Sequence, residues 1–226
     1  MLIDIITLFP EMFTGVFGES IIKRAVDKKI LEIRFTQLRD FAFDKHRQVD
    51  DSPFGGGAGM VLKPEPVYRA VRHVLSNSDE NSTRKVIITD PSGEVFTQAK
   101  AKELAALEQI IFVCGHYEGF DARIYDLADE LISIGDYVLT GGELPAMVIV
   151  DAVARMLPNV LGKAESAATD SFFDGRLGLP QYTRPRDFEG KLVPDVLLSG
   201  NHAAIKQWRE AQSLNLTRTR RPDLMT

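Results

Sequence analysis

One cysteine in 226 residues, Cys114, leaves no internal disulfide framework and no metal site built on several cysteines. That usage fits a reducing compartment, so a cytoplasmic location is expected. None of the four histidines has a partner at metal-ligand spacing. No run approaches the roughly 18–20 unbroken apolar residues of a membrane span, so no membrane contact is expected. The first six residues carry no basic leader and Asp4 interrupts their apolar run, which argues against a signal peptide. There is no G-x-x-x-x-G-K-[ST] and hence no P-loop. Gly55-Gly56-Gly57-Ala58-Gly59 lacks the G-x-G-x-x-G spacing and runs into Met60-Val61-Leu62-Lys63-Pro64, where a Rossmann helix ought to begin.

Positive charge is outnumbered overall, with a formal net charge of −5, but it is unevenly spread. From Arg176 onward nine Lys and Arg face five Asp and Glu, a local +4, so the remainder carries −9. A basic contact surface on an acidic protein would look like this. So would a solvated pair of C-terminal helices.

What is present is a regular alternation of β-rich and amphipathic stretches. Strands are predicted over residues 2–9, 31–38, 86–89, 110–114 and 131–134. Helices are predicted from Pro10 to about Lys28, then over 64–75, 98–107, 121–127 and 144–157. This order means an α/β domain with a mainly parallel sheet over residues 1–161. Residues 162–178, rich in Gly, Ala, Ser, Asp and Thr, read as a flexible interdomain linker. Residues 179–226 form a second, helical domain, with helices over 202–212 and near the C-terminus.

In such a sheet, ligands bind beyond the carboxyl ends of the strands. Three segments there carry glycine: Asp90-Pro91-Ser92-Gly93, Gly115-His116-Tyr117-Glu118-Gly119, and the run from Ile134 through Gly135, Tyr137, Leu139, Gly141 and Gly142 to Pro145. Together they suggest a small-molecule pocket walled by backbone; singly they could be chain reversals. The long irregular loop holding Lys45-His46-Arg47 and ending at Gly59 suits a grip on a polyanion, or a dimer contact. Asp170, between Thr169 and Ser171, reads as a mobile general base or as a helix N-cap, and local pattern favours the cap. Arg155 falls at a helix end, where a lone arginine is usually solvated or pairs with the dipole. Cys114 reads as core.

Three runs stand out, and the last of them is long and specific. They are Asp44-Lys45-His46-Arg47 leading into residues 49–60, Cys114–Gly119, and Ser133-Ile134-Gly135-Asp136-Tyr137-Val138-Leu139-Thr140-Gly141-Gly142-Glu143-Leu144-Pro145-Ala146. With Asp170–Phe173, Tyr182-Thr183-Arg184-Pro185 and Trp208-Arg209, they resemble the bacterial tRNA (guanine-N1)-methyltransferases, the TrmD family of the SPOUT class. The resemblance implies a deep trefoil knot in the first domain, against general topology rules. It implies S-adenosyl-L-methionine as methyl donor, held by Pro91, Gly115, Tyr117, Glu118, Gly119, Ile134, Gly135, Tyr137, Leu139, Gly141, Gly142 and Pro145. It also implies a tRNA substrate, methylated on the guanosine 3′ of the anticodon, and a homodimer with its active site at the subunit interface. Asp170 then becomes the general base and Arg155 the assisting arginine. Candidate tRNA contacts are His46, Gly59, Arg184, Lys191, Trp208 and Arg209. Magnesium dependence is implied as well, with Glu118 and Asp170 as candidate holders. The chain departs from the family pattern at Thr89, Asp90, His116 and Phe120; no backbone contact is lost thereby, and activity is expected to survive.

Overall fold

Ile110, Phe112 and Cys114 belong to one apolar cluster and Ile111 and Val113 to another. The segment that carries them is therefore covered on both faces, the condition of a buried parallel strand. The computed structural model describes residues 1–162 and 169–225, and the chain divides into two units, Met1–Leu161 and Gly162–Thr226. Residues 163–168 of the expected linker lie outside the described residues.

The first unit holds strands β1 (Leu2–Thr7), β2 (Glu32–Gln37), β3 (Asp50–Asp51), β4 (Val61–Leu62), β5 (Arg84–Val95), β6 (Gln109–Val113) and β7 (Glu130–Ser133). Its helices are α1 (Thr14–Phe17), α2 (Ser20–Asp27), α3 (Pro64–Ser76), α4 (Gln98–Leu104) and α5 (Glu143–Ala154). Five strands make one sheet in the order β2-β1-β6-β5-β7, with every pairing parallel. The mixed α/β architecture with a mainly parallel sheet is as the alternation predicts. One face packs on α5 through Ala146, Ile149, Val150 and Val153. The other packs on α3 through Val67, Ala70, Val71 and Val74. The short pair β3–β4 is antiparallel and brackets the glycine-rich loop.

Several expected boundaries are corrected. The helix predicted from Pro10 to Lys28 is three pieces: a 3-10 turn over Pro10–Phe13, then α1, then α2. Gly18 caps α1, where a β-carbon would lie 2.5 Å from the Thr14 carbonyl oxygen, and Glu19 is extended. The apolar spacing runs through the break because Phe13, Phe17, Ile22 and Ala25 all enter the same core. The strand predicted to stop at Thr89 continues to Val95. Thr89 and Glu94 both pair with Ile132 of β7, so residues 90–93 bulge outward instead of reversing the chain. The segment predicted as a helix over 121–127 is a 3-10 turn over Ala122–Leu127.

Asp4 introduces a charge into this core. It is 5 % exposed, accepts a 2.7 Å hydrogen bond from Gln109 Nε2, and its pKa is raised, by burial above all. A raised folded-state pKa means that stability is gained as pH falls through it and lost above it. Asp4→Asn, which can still accept from Gln109, is therefore expected to raise the melting temperature at neutral pH by a few degrees. That advantage should vanish in acid, where the wild-type carboxyl is protonated; melts at both pH values check it.

The second unit contains the antiparallel pair Asp187–Phe188 and Lys191–Leu192, a short helix Asp195–Leu198, and a helix over His202–Arg220. Where the sequence predicts two helices at this end, one of 19 residues is found, followed by a 3-10 turn. Past Gln212 the helix continues, and hydroxyls there bond within it: Thr217 Oγ1 donates to the Ser213 carbonyl at 2.8 Å, and Thr219 Oγ1 to that of Asn215. Among the described residues no helix is long and apolar enough to cross a membrane.

Candidate active site

Strands β6, β5 and β7 are neighbours, and the segments leaving their carboxyl ends meet at one edge of the sheet. A cavity of about 270 Å³ opens there, close to the lower limit of roughly 300 Å³ for ligand pockets. All twelve residues expected to hold a cofactor line it. Pro91 comes from the β5 bulge, Gly115, Tyr117, Glu118 and Gly119 from the loop after β6, and the other seven from the stretch between Ile134 and Pro145.

The walls are backbone packed on backbone. The Gly142 amide donates to the Gly115 carbonyl at 2.9 Å. A β-carbon on Gly142 would stand 2.4 Å from Thr89 Oγ1 and 2.8 Å from both Cys114 Cα and the Gly115 nitrogen, so nothing larger than hydrogen fits. Tyr117 takes φ +61°, a left-handed conformation that a non-glycine residue holds only when its surroundings demand it. The His116 ring lies against Phe9 at 4.9 Å and Tyr117 at 5.0 Å.

Asp90 sits on the rim. Burial alone would raise its pKa, but hydrogen bonds from Ser92 and from the Tyr125 hydroxyl outweigh it and hold the carboxylate below its usual range. Tyr125 lines the cavity and fixes Asp90 at 2.7 Å, yet sequence pattern gives no hint of it, since the two are 35 residues apart. Cys114 is buried, and that burial first, with the Glu143 charge second, pushes its thiol well up. It is a core residue and no nucleophile.

A family profile described as tRNA (guanine-1)-methyltransferase TrmD matches residues 1–226. The chain belongs to the TrmD family. It is 57 % identical over 225 residues to a tRNA (guanine-N(1)-)-methyltransferase of Shouchella clausii, covering 100 % of this chain and 91 % of that relative. Relatives of the same name from Staphylococcus haemolyticus and Bacillus cereus are 57 % and 56 % identical over 226 residues, covering 100 % of this chain and 91 % and 92 % of their own lengths.

In this TrmD-family chain the glycine-rich loop is tied to the cavity. Glu118 donates its amide to the Met60 carbonyl and Leu62 donates to that of Gly119, both at 2.9 Å. Gly59 has φ +82°, and a β-carbon there would lie 2.3 Å from Glu118 Cγ. Gly59 is thus brought to a cavity residue, whereas His46 is exposed in the preceding loop, its amide donating to Asp44. Arg155 is half-buried at the end of α5 in the first unit. Asp170 belongs to the second unit and is exposed within a succession of turns; no helix begins at residues 169–171, so it is not an N-cap. Within the second unit, Arg184, Trp208 and Arg209 share a cavity of about 430 Å³ with Tyr182 and Arg186, and the Tyr182 and Trp208 rings are 6.2 Å apart. Lys191 is not among its lining residues and lies on an exposed strand.

Proposed function

We propose that this chain transfers a methyl group from S-adenosyl-L-methionine to N1 of the guanosine 3′ of the anticodon in tRNA. The observation that carries the proposal is the single cavity onto which all three strand ends converge, in a chain that belongs to TrmD from end to end. Its residues suit the donor. Gly141 and Gly142 form a wall of bare backbone packed so closely on its neighbours that a β-carbon on either would clash, and the Asp90 carboxylate is a fixed acceptor at the rim. When bound, the donor supplies an electrophilic methyl on a cationic sulfur.

The chain must then handle the guanine. N1 carries a proton near neutral pH, so its lone pair is not free to attack. Asp170 takes that proton as general base. Negative charge builds toward O6, and the Arg155 guanidinium stabilises it. The base must leave its stack to reach the cavity. Residues 179–226 bind the tRNA, a reading supported by the Arg184, Arg186 and Arg209 side chains beside two aromatic rings and by the basic balance of this end.

The protein acts in the cytoplasm as a homodimer, with the partner's Asp170 serving each cavity across residues 162–178. Supporting this, α5 is apolar beyond its buried face: Leu144 is 45 % and Val148 49 % exposed. The trefoil knot is proposed for the three cavity segments. Those segments pack closely on the sheet: a β-carbon on Gly93 would be 2.4 Å from the Ile132 nitrogen of β7. Magnesium has no assigned place on the protein. Among the described residues of one subunit no three His, Cys, Asp or Glu side chains converge; Glu118, which lines the cavity, and Asp170 stay the candidate holders. RNA phosphates are the other hard-oxygen ligands available to such an ion.

The test is transfer of labelled methyl to unmodified tRNA bearing guanosine after the anticodon, with mapping of the product. Label on N1 of that guanosine is expected. Binding of the donor without transfer to this tRNA would show that the substrate is another RNA, and absence of donor binding would remove the function altogether.

A further inference from the structure

Glu143 is the first residue of α5 and is 2 % exposed. Its Oε1 accepts a 2.7 Å hydrogen bond from the Thr7 hydroxyl, and among the described residues no other side-chain hydrogen bond and no ion pair reaches the carboxylate. Burying a charge without an opposite charge is costly, and the helix N-terminus offsets only part of that. Glu143 Oε2 lies 2.4 Å from the point that a β-carbon on Gly141 would occupy, and Gly141 is part of the cavity wall. The same point is 2.8 Å from His116 Nδ1, which is itself buried without a hydrogen-bond partner. A negative charge therefore stands directly behind the wall, and the missing side chain of a glycine is what lets it stand so close. Its field reaches the end of β6, where it adds to the upward push on the Cys114 thiol.

We propose that Glu143 makes the cavity select for a positively charged ligand, favouring the sulfonium donor over the neutral thioether that remains once the methyl has left. This rests on the methyl-transfer reading above. The amino and carboxylate groups are common to donor and product, so the charge on sulfur is the difference that a fixed carboxylate can read. Such a residue assists turnover without touching the reacting atoms, because spent product is then displaced by fresh donor.

Calorimetric titration of the full chain with S-adenosylmethionine and with S-adenosylhomocysteine tests this. Glu143→Gln, which keeps the acceptor for Thr7, is expected to lower the preference for the sulfonium ligand roughly 10-fold, the scale of an interaction between charges several ångströms apart in protein. Glu143→Asp keeps the charge and should keep the preference. Ligand-induced shifts in melting temperature give a second readout of the same order of affinities. Wild-type chain titrated with sinefungin, which bears an ammonium in place of the sulfonium, should bind it more tightly than the thioether; this arm does not depend on any variant folding. Equal losses for both ligands in the Gln variant, or no preference of wild type for the ammonium analogue, overturn the proposal while leaving methyl transfer intact. A wild-type chain that binds none of the three removes the methyl-transfer reading itself.

Discussion

Asp170→Ala is expected to lower methyl transfer by roughly 10²–10⁴-fold, the usual contribution of a general base, with affinity for S-adenosylmethionine unchanged. The separation comes from where the residues lie. Every lining residue of the cavity belongs to the first unit and Asp170 to the second, so its loss leaves the walls as they are. Asp170→Asn is the sharper variant, because it keeps the size and polarity and removes only the capacity to accept the N1 proton. Single-turnover measurement with saturating donor isolates the chemical step. A near-normal rate in Asp170→Asn would mean that the residue orders the loop and that another group takes the proton. The dimer gives a second outcome to look for. If each site draws its cavity from one subunit and its base from the other, mixing Asp170→Ala with a variant whose cavity is blocked should restore activity that neither homodimer has. Failure to complement, with mixed dimers shown to form, would place both parts of the site in one subunit.

The legible part of this protein is what short-range pattern controls. An unbroken apolar run from Ile110 to Cys114 puts Ile110 and Phe112 in one core and Ile111 and Val113 in the other, and its shortness between Gln109 and Gly115 makes a buried parallel strand readable. Glycines after three successive strands point to a pocket, and the structure gathers those segments around one cavity. Long-range pairing is not readable. Tyr125 holds Asp90 across 35 residues and Thr7 holds Glu143 across 136, and neither leaves a trace in local spacing. Turn chemistry misleads at residues 90–93, because Asp, Pro, Ser and Gly serve a bulge as well as a reversal; only the partner strand decides which. The helix break at Gly18 is hidden for the opposite reason, since the pieces on either side feed one core and keep one apolar period. Asp170 is the extreme case. Its neighbours favour a cap, no helix begins there, and its proposed role comes from resemblance rather than from any spacing.

Gly142→Ala should cost S-adenosylmethionine affinity on the order of 10²-fold, although it adds one methyl group and touches no charge. The added carbon would meet Thr89 Oγ1 at 2.4 Å, Cys114 Cα at 2.8 Å and the Gly115 nitrogen at 2.8 Å. The hydroxyl can turn away, but the other two are backbone at the end of a strand whose residues are all buried, so the wall must move. Overpacking of this kind costs about 1–3 kcal/mol, and the upper part of that range spent on displacing the cavity wall corresponds to about 10²-fold in affinity. Backbone strain plays no part, because Gly142 has φ −80°, which alanine adopts freely. That distinguishes the effect from an ordinary glycine penalty and makes Gly15→Ala the right control: its new carbon would meet nothing within 4 Å, and it lies in α1. The double variant Thr89→Ala/Gly142→Ala removes the nearest clash and leaves the backbone ones, so only partial recovery is expected. Full recovery would show that the hydroxyl alone set the limit. Normal binding by Gly142→Ala itself would show that the segments around the cavity yield easily, and that its shape is not held by the close packing of Gly142 on Cys114 and Gly115.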